Sequence, residues 1–337
     1  MTTLQLNLPN TKYSITVGNN LLNKADEFFN LNRKVFIVTD DGVPSEYAEA
    51  ISKKCKNALI YTVKSGEASK SFDTLHELCT AMMEFGMTRA DCGIAVGGGV
   101  VGDLTGFACA VYMRGIDFYN VPTTMLAQVD SSIGGKTAIN LGDTKNIVGA
   151  FHQPKAVLID TDVLKTLSKR HLSAGLAESV KMSLTSDKEL FEIFENEAIK
   201  DANIEKIIVK SLEIKKKVVE EDEKESGLRK ILNFGHTFGH GIEAAEGLGN
   251  LYHGECVALG MIPMCSQSVR NRLIPILNKL NLPTMFNGNV DSALSYVDHD
   301  KKANDKNISA IFVDEIGSFR ISDISTEDFK KHIKANI

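Results

Sequence analysis

At 337 residues the chain has room for about two domains of ordinary size, and it can bury a core without disulfides or structural metal. Its 43% apolar and 24% charged residues exclude a disordered chain, a collagen and a coiled-coil rod, and no apolar run approaches the ~20 residues of a membrane span. A net charge of −5 argues against a protein that coats nucleic acid, while leaving anionic small substrates open to local cations. Residues 12–17 alternate polar and apolar, and 34–38 and 58–63 are β-branched runs bounded by polar turns. Residues 71–85 read as a helix, with Phe72, Leu75, Leu78, Cys79 and Met82 at helical spacing. A strand at 91–96, a helix at 100–111 and a strand at 116–121 follow, and this alternation predicts a parallel α/β layer. The glycine-rich polar stretches 131–136 and 141–146 are expected to wrap a ligand, and 157–159 reads as a last strand. Beyond residue 161 long helical patterns appear at 172–184, 204–219 and 256–268, so a boundary is expected near 160–170 with a helical domain after it. The charge-dense run 215–225 reads as a solvated helix face. The six cysteines are scattered, and the opening MTTLQLNLPNTKYSITV lacks a secretory pattern, so a cytosolic protein with reduced thiols is expected.

Three groups of residues can carry chemistry. The run from Gly97 to Gly102 follows a strand and opens a helix, where backbone N–H groups and the helix N-terminus suit a phosphate. It fits G-x-G-x-x-G, but lies too far along the chain for a regular first-unit dinucleotide fingerprint. Three of the eight histidines, His236, His240 and His253, fall within 18 residues, and the first two share one helix face. A two-histidine enzyme site commonly adds a carboxylate and keeps an open position. Glu178 is the candidate, in a small and apolar helical stretch where an unpaired carboxylate is costly. The alternative is a surface pair with Lys181, and Glu243 and Glu255 compete as ligands. Arg114, Lys136, Lys145, Lys181, Lys215, Arg229, Lys301 and Lys302 stand near turns, glycines or histidines and suit a phosphate or carboxylate substrate if they converge.

The segments GGGVVGDLTGFACAVYMRG (97–115), VPTTMLAQVDSSIGGKTAIN (121–140), KNIVGAFHQP (145–154), GLAESVKM (175–182), ESGLRKILNFGHTFGHGIE (225–243) and HGE (253–255) resemble the 3-dehydroquinate synthase family, in matching order. The resemblance implies an α/β fold: an N-terminal parallel-sheet NAD-binding domain over 1–165, then an all-helical metal- and substrate-binding domain over 166–337. It implies a phosphate-eliminating carbon–oxygen lyase, the second step of the shikimate pathway. That enzyme converts 3-deoxy-D-arabino-heptulosonate 7-phosphate to 3-dehydroquinate plus phosphate, with NAD reduced and reoxidised in each turnover.

Site residues carry over by motif. The metal, Zn²⁺ or Co²⁺, falls to Glu178, His236 and His253, with His240 beside it as a proton relay. Lys136, Lys181, His240 and Asn146 are expected to be catalytic. Arg114, Asp130, Lys136, Asn146, Lys215, Arg229, Asn233, His240, Lys301 and Lys302 are expected on the substrate. For NAD the set is Asp40; Ser65, Gly66, Glu67, Ala68, Ser69 and Lys70; Gly98, Gly99, Val100, Val101, Gly102 and Asp103; Thr123, Thr124, Lys136 and Lys145; and Val163, Leu164, Lys165 and Thr166. Asp103 is expected in the first turn of the helix after the glycines. Arg114 is expected to reach a neighbouring subunit's site, which implies a homodimer, and a cytoplasmic location follows. The competing readings are the 2-deoxy-scyllo-inosose, valiolone and aminodehydroquinate cyclases, a net glycerol-type dehydrogenase, and a non-catalytic NAD-binding regulator. Asn233 and the complete GHTFGH string favour dehydroquinate synthase over the first two.

Overall fold

The computed structural model describes the chain except residues 143, 226, 248 and 298–306. It divides into two compact units, Met1–Leu167 and Ser168–Ile337.

The first unit is built on a seven-stranded sheet. Its strands are β1 (Thr2–Leu8), β2 (Thr11–Gly18), β3 (Lys34–Asp40), β4 (Asn57–Val63), β5 (Cys92–Gly97), β6 (Asp117–Pro122) and, after the separate hairpin β7 (Lys136–Leu141) and β8 (Thr144–Phe151), β9 (Ala156–Asp160). The order is β1-β2-β9-β6-β5-β3-β4. Only β1 runs antiparallel to its neighbour; the other pairings are parallel. The helices are α1 (Ala25–Phe28), α2 (Ser45–Ser52), α3 (Phe72–Glu84) and α4 (Gly99–Val111).

Both faces of the sheet are covered, which is why its central strands read as continuous apolar runs. Val35 and Ile37 of β3 join Ile94, Val96 and Leu158 in one core with Ala48 and Ile51 of α2. Phe36 and Val38, on the opposite face, join Ala95 in a second core with Met82 of α3 and Leu104 and Ala108 of α4. Burying each such side chain is worth about 1.5–3 kcal/mol. Ser71 caps α3 by accepting from Thr74 N at 3.2 Å. Of the predicted stripe on α3, Leu78 and Met82 are buried, Leu75 and Cys79 half-buried, and Phe72 lies outside it, half exposed at the helix start. Of the glycine-rich polar stretches, 131–135 precede β7, while Lys136, Leu141 and residues 144–146 belong to the antiparallel hairpin β7–β8, paired from Lys136↔Phe151 inward.

The second unit is mostly helical: α5 (Lys169–Ser186), α6 (Lys188–Asn196), α7 (Asp201–Glu221), α8 (His236–Glu246), α9 (His253–Met261), α10 (Gln267–Lys279), α11 (Val290–Tyr296) and α12 (Thr326–Asn336). One antiparallel hairpin, β10 (Asn307–Phe312) with β11 (Arg320–Ser325), interrupts the helices. Helix α5 is buried on every side from Ala174 to Thr185, so it is the axis of the unit. The helix expected over 256–268 is two: Pro263 sits in a 3₁₀ turn after α9, and Ser266 caps α10. The run at 215–225 is not wholly solvated, because Lys215 and Asp222 are buried. Among the described residues no helix is long and apolar enough to cross a membrane.

Candidate active site

In the second unit a carboxylate and three histidines gather around α5. Glu178 is fully buried, and its Oε2 lies 2.5 Å from Nζ of Lys181, itself 1% exposed and donating to Leu232 O at 2.6 Å. The pair is therefore interior, and the surface-pair reading fails. His236 and His253 are the first residues of α8 and α9. Their Nε2 atoms stand 3.7 and 3.5 Å from Oε1 of Glu178. Each ring is oriented from behind: Nδ1 of His236 faces Phe234 O at 3.1 Å, and Nδ1 of His253 faces Oε2 of Glu243 at 3.3 Å. Those acceptors fix the proton on Nδ1 and aim Nε2 at Glu178, as metal-binding imidazoles are arranged. Neither oxygen of Glu178 takes a well-aligned hydrogen bond among the described residues, so the carboxylate is held by charge attraction.

This donor set fits a divalent cation: one carboxylate and two imidazoles with room for a further ligand. His240 belongs to the same cluster. It is exposed, and it offers a ring nitrogen within 4.8 Å of those of His236 and His253. Of the competing carboxylates, Glu255 is occupied by Arg170 and the backbone of Tyr252, and Glu243 stands behind His253.

The electrostatics follow from that crowding. Burial pushes the Glu178 carboxyl up, but Lys181, His236 and His253 outweigh it and hold it well below the ordinary range. Burial, with Lys181, holds His236 well below the usual imidazole value, so this ring is neutral. Burial also opposes charge on His253, yet Glu178 and Glu243 raise it to about 9. The metal-free protein thus carries a proton on His253, between two carboxylates, where a cation would sit.

The remaining candidates of this unit lie on α7 and the turn before α8. Lys215 is buried on α7, and Arg229 is buried in the 3₁₀ turn Leu228–Asn233. Asp222 Oδ2 accepts from Arg229 N at 3.0 Å, and Nη1 of Arg229 donates to Glu223 O at 2.5 Å. Asn233 donates to Glu225 Oε1 at 2.8 Å. Lys301 and Lys302 lie outside the described residues.

In the first unit the candidate cofactor residues follow the carboxyl ends of neighbouring parallel strands, the edge where α/β sheets hold ligands. Asp40 ends β3 and Ser65–Lys70 follow β4. Gly98–Asp103 follow β5, Thr123 and Thr124 follow β6, and Val163–Thr166 follow β9. Gly98 is the N-cap of α4 and makes no side-chain cap, so this helix start is open to an anion. Thr123 N donates to Gly97 O at 2.9 Å, tying two of these ends together. Thr124 Oγ1 accepts from Ala127 N at 3.2 Å and leads into a π-helical turn, Ala127–Ser131, which holds Asp130. Asp40 accepts from Gly42 N at 2.8 Å, and burial raises its carboxyl. Tyr47 meets Thr166 Oγ1 at 2.8 Å.

Asp103 stands in the second turn of α4, one turn later than expected, because the helix begins at Gly99. It pairs with Lys70 Nζ at 2.7 Å. Lys70 is 3% exposed and also holds Asn146 Oδ1 and, at 3.7 Å, Glu67 Oε1. Asn140 completes the network, donating to Glu67 at 2.9 Å and accepting from Asn146 N at 2.9 Å. Lys136 and Lys145 are exposed on the hairpin. Arg114 is exposed in a turn whose backbone is left-handed at Met113 and Arg114, φ 53° and 69°.

Two family models match consecutive stretches: 3-dehydroquinate synthase N-terminal over residues 60–174 and 3-dehydroquinate synthase C-terminal over 175–303. A 3-dehydroquinate synthase of Streptococcus suis is 41% identical over 355 aligned residues, covering 98% of this chain and 99% of that one. The chain belongs to the 3-dehydroquinate synthase family. Among solved structures, 2-deoxy-scyllo-inosose synthase with carbaglucose-6-phosphate, NAD⁺ and Co²⁺ matches with TM-score 0.88 and 26% identity over 100% of both chains. The 2-epi-5-epi-valiolone synthase ValA of Streptomyces hygroscopicus, with NAD⁺ and Zn²⁺, matches with TM-score 0.86 and 27% identity over 98% of this chain and 96% of that one.

Three residues in these networks carry little signal in the sequence: Glu243 reads as a competing ligand although it stands behind His253, Asn140 reads as an ordinary polar residue of a glycine-rich stretch, and a lone arginine at a helix start, Arg170, is ordinary.

Proposed function

We propose that the chain converts 3-deoxy-D-arabino-heptulosonate 7-phosphate to 3-dehydroquinate and phosphate, using NAD and a divalent metal held by Glu178, His236 and His253. The observation that carries this reading is the buried Glu178 faced by two Nε2 atoms, in a chain matched by the two family models over residues 60–303. A metal bound there acts as a Lewis acid on a substrate hydroxyl. NAD, when bound by the strand-end residues of the first unit, would supply a reversible hydride acceptor for the substrate's C5 hydrogen, with no net oxidant consumed. The transient C5 ketone acidifies the C6 proton, phosphate leaves by β-elimination, and after reduction the ring opens and closes again as an aldol.

The protein's own groups position and neutralise. Lys181, fixed beside Glu178, supplies positive charge at the reacting end. His240, exposed and next to the ligating histidines, takes the hydroxyl proton. Lys136 and Asn146 receive the phosphate, with Lys301 or Lys302. Asp130, Lys215, Arg229 and Asn233 line the substrate. Asp40, Ser65–Lys70, Gly98–Asp103, Thr123, Thr124, Lys136, Lys145 and Val163–Thr166 would hold NAD, and the open start of α4 suits an anionic pyrophosphate. The protein is a cytoplasmic homodimer in which Arg114 serves the neighbouring site. Met113, beside Arg114, and Leu141, Ile147 and Phe151 of the hairpin are exposed apolar side chains, which supports a contact between copies of the chain.

The test is an assay with the heptulosonate phosphate, a divalent metal and catalytic NAD⁺. Phosphate release without accumulating NADH is expected. Stoichiometric NADH would make the chain a dehydrogenase, and no turnover would make it a regulator.

A further inference from the structure

The metal ligands come from three separate helices, so something must fix their spacing. Two contacts grip the first turn of α9, and both come from α5, the helix that carries Glu178. The first is a fork. Arg170, in the first turn of α5, donates from Nε to Glu255 Oε1 and from an Nη to Oε2, each at 2.7 Å. The same Nη reaches Asn250 O at 2.8 Å, and the guanidinium lies over the Tyr252 ring at 4.1 Å. Glu255 is buried and closes a capping box, its Oε2 accepting from Tyr252 N at 2.8 Å. Arg170 therefore holds the residue before His253 through its ring, and the residue two after it through its carboxylate. The second contact is Gly254, which lies directly against the Ala174 carbonyl.

We infer that Arg170 is a positioning residue for the metal site: its fork on Glu255 sets the first turn of α9, and with it the distance from His253 Nε2 to Glu178. Arginine suits the task because its planar fork matches a carboxylate at two points, which a lysine cannot do. The demand for precision is real, since a Zn–N bond is about 2.0–2.1 Å and ligands must be held to about 0.5 Å. Side chains that orient metal ligands are worth about 10–100-fold in metal affinity. The inference rests on the proposed ligand set.

The experiment measures Zn²⁺ affinity by competition with a chromophoric chelator, and the visible absorption of the Co²⁺-loaded protein. It is applied to the full chain and to Arg170→Lys, Arg170→Gln, Glu255→Gln and His253→Ala. Arg170→Gln and Glu255→Gln are expected to lose about 10–100-fold in Zn²⁺ affinity and to change the Co²⁺ spectrum. Arg170→Lys should fall between them and the parent, with NAD⁺ affinity and metal-free Tm near the parent's. If Arg170→Gln fails to fold, Arg170→Lys carries the comparison. Parental affinity and spectrum in folded Arg170 variants would overturn the inference. So would a fall in Tm and affinity with an unchanged spectrum, which marks general loosening. If His253→Ala itself keeps the parental Zn²⁺ affinity, the ligand set is wrong and the inference falls with it.

Discussion

Substituting Gly254 tests how closely α9 must approach α5. A Cβ at this position would lie 1.8 Å from Ala174 O and 2.6 Å from its carbonyl carbon, against the 3.4 Å where ordinary contact begins. The obstacle is backbone in a fully buried helix and cannot swing aside, so the helices must part by about 1.6 Å. Overpacking of this kind costs about 1–3 kcal/mol, and a backbone clash belongs at the upper end. The functional loss should be larger than the stability loss suggests. His253 is the adjacent residue, and a displacement of that size is comparable with the whole length of a Zn–N bond, about 2.0–2.1 Å. Gly254→Ala is therefore expected to lose about 3 kcal/mol of unfolding free energy in chemical denaturation, and to bind Zn²⁺ at least about 100-fold more weakly. Gly247→Ala is the control: its φ is +80° with nothing within 4 Å, so it should lose about 1–2 kcal/mol of backbone energy and leave Zn²⁺ affinity alone. Parental metal affinity and midpoint in Gly254→Ala would refute the reasoning.

Metal binding should depend on pH through His253, whose pKa near 9 is raised above the usual imidazole value of 6.5. Apparent Zn²⁺ affinity is then expected to climb about tenfold per pH unit below that value, with one proton released per metal, read by titration in buffers of different ionisation enthalpy. A raised pKa stabilises the folded metal-free protein below pH 6.5, and that stability is lost as pH rises toward 9; a flat stability profile over this window would contradict the pairing with Glu178 and Glu243. Lys70→Met should cost about 3 kcal/mol in chemical denaturation, because it strips the buried ammonium from Asp103 and Asn146. It should also weaken NAD⁺ binding, and an unchanged midpoint would show the network to be dispensable. Mixing Arg114→Ala with Glu178→Ala subunits should recover activity that neither homodimer has, since one of the two sites then combines an intact metal centre with the partner's arginine; no recovery would place Arg114 in its own chain's site or outside catalysis.

The parts of the fold legible in the sequence are those where a single physical rule acts alone. β3 and β5 are covered on both faces, so burial leaves near-continuous apolar runs whatever the neighbouring strands do. β1 gave no such signal, because TTLQLNL sits at the sheet edge with its first half open to solvent. The hairpin β7–β8 was hidden for the same reason: β8 is almost wholly exposed, and its glycine and asparagine content reads as loop. In 256–268 helical periodicity masked the break, since Pro263 fits the first turn of a 3₁₀ segment as easily as it stops a helix.

The site divides along the same line. A carboxylate within an apolar helix and histidines close in sequence are costly or improbable unless something explains them, so Glu178 and the cluster His236, His240 and His253 stand out from the chain alone, while the choice of His236 and His253 as the ligand pair comes from the family resemblance. What makes those residues work together is carried by pairs far apart in sequence: Arg170 with Glu255 across 85 positions, Lys70 with Asp103 across 33 and with Asn146 across 76. Each partner, taken alone, is an ordinary polar or charged residue, and only the packing of α9 on α5, or of the hairpin on the loop after β4, buries Glu255 and Lys70 against the others. Long-range pairing of this kind leaves no local mark, because the cost of burying one charge is cancelled by a partner whose position in the sequence is set by topology and not by spacing. The same logic explains the glycine-rich turn. Its place at residue 97 argued against a regular dinucleotide fingerprint, yet β5 is a central strand, between β6 and β3, and chain order is a poor guide to which strand end faces a ligand.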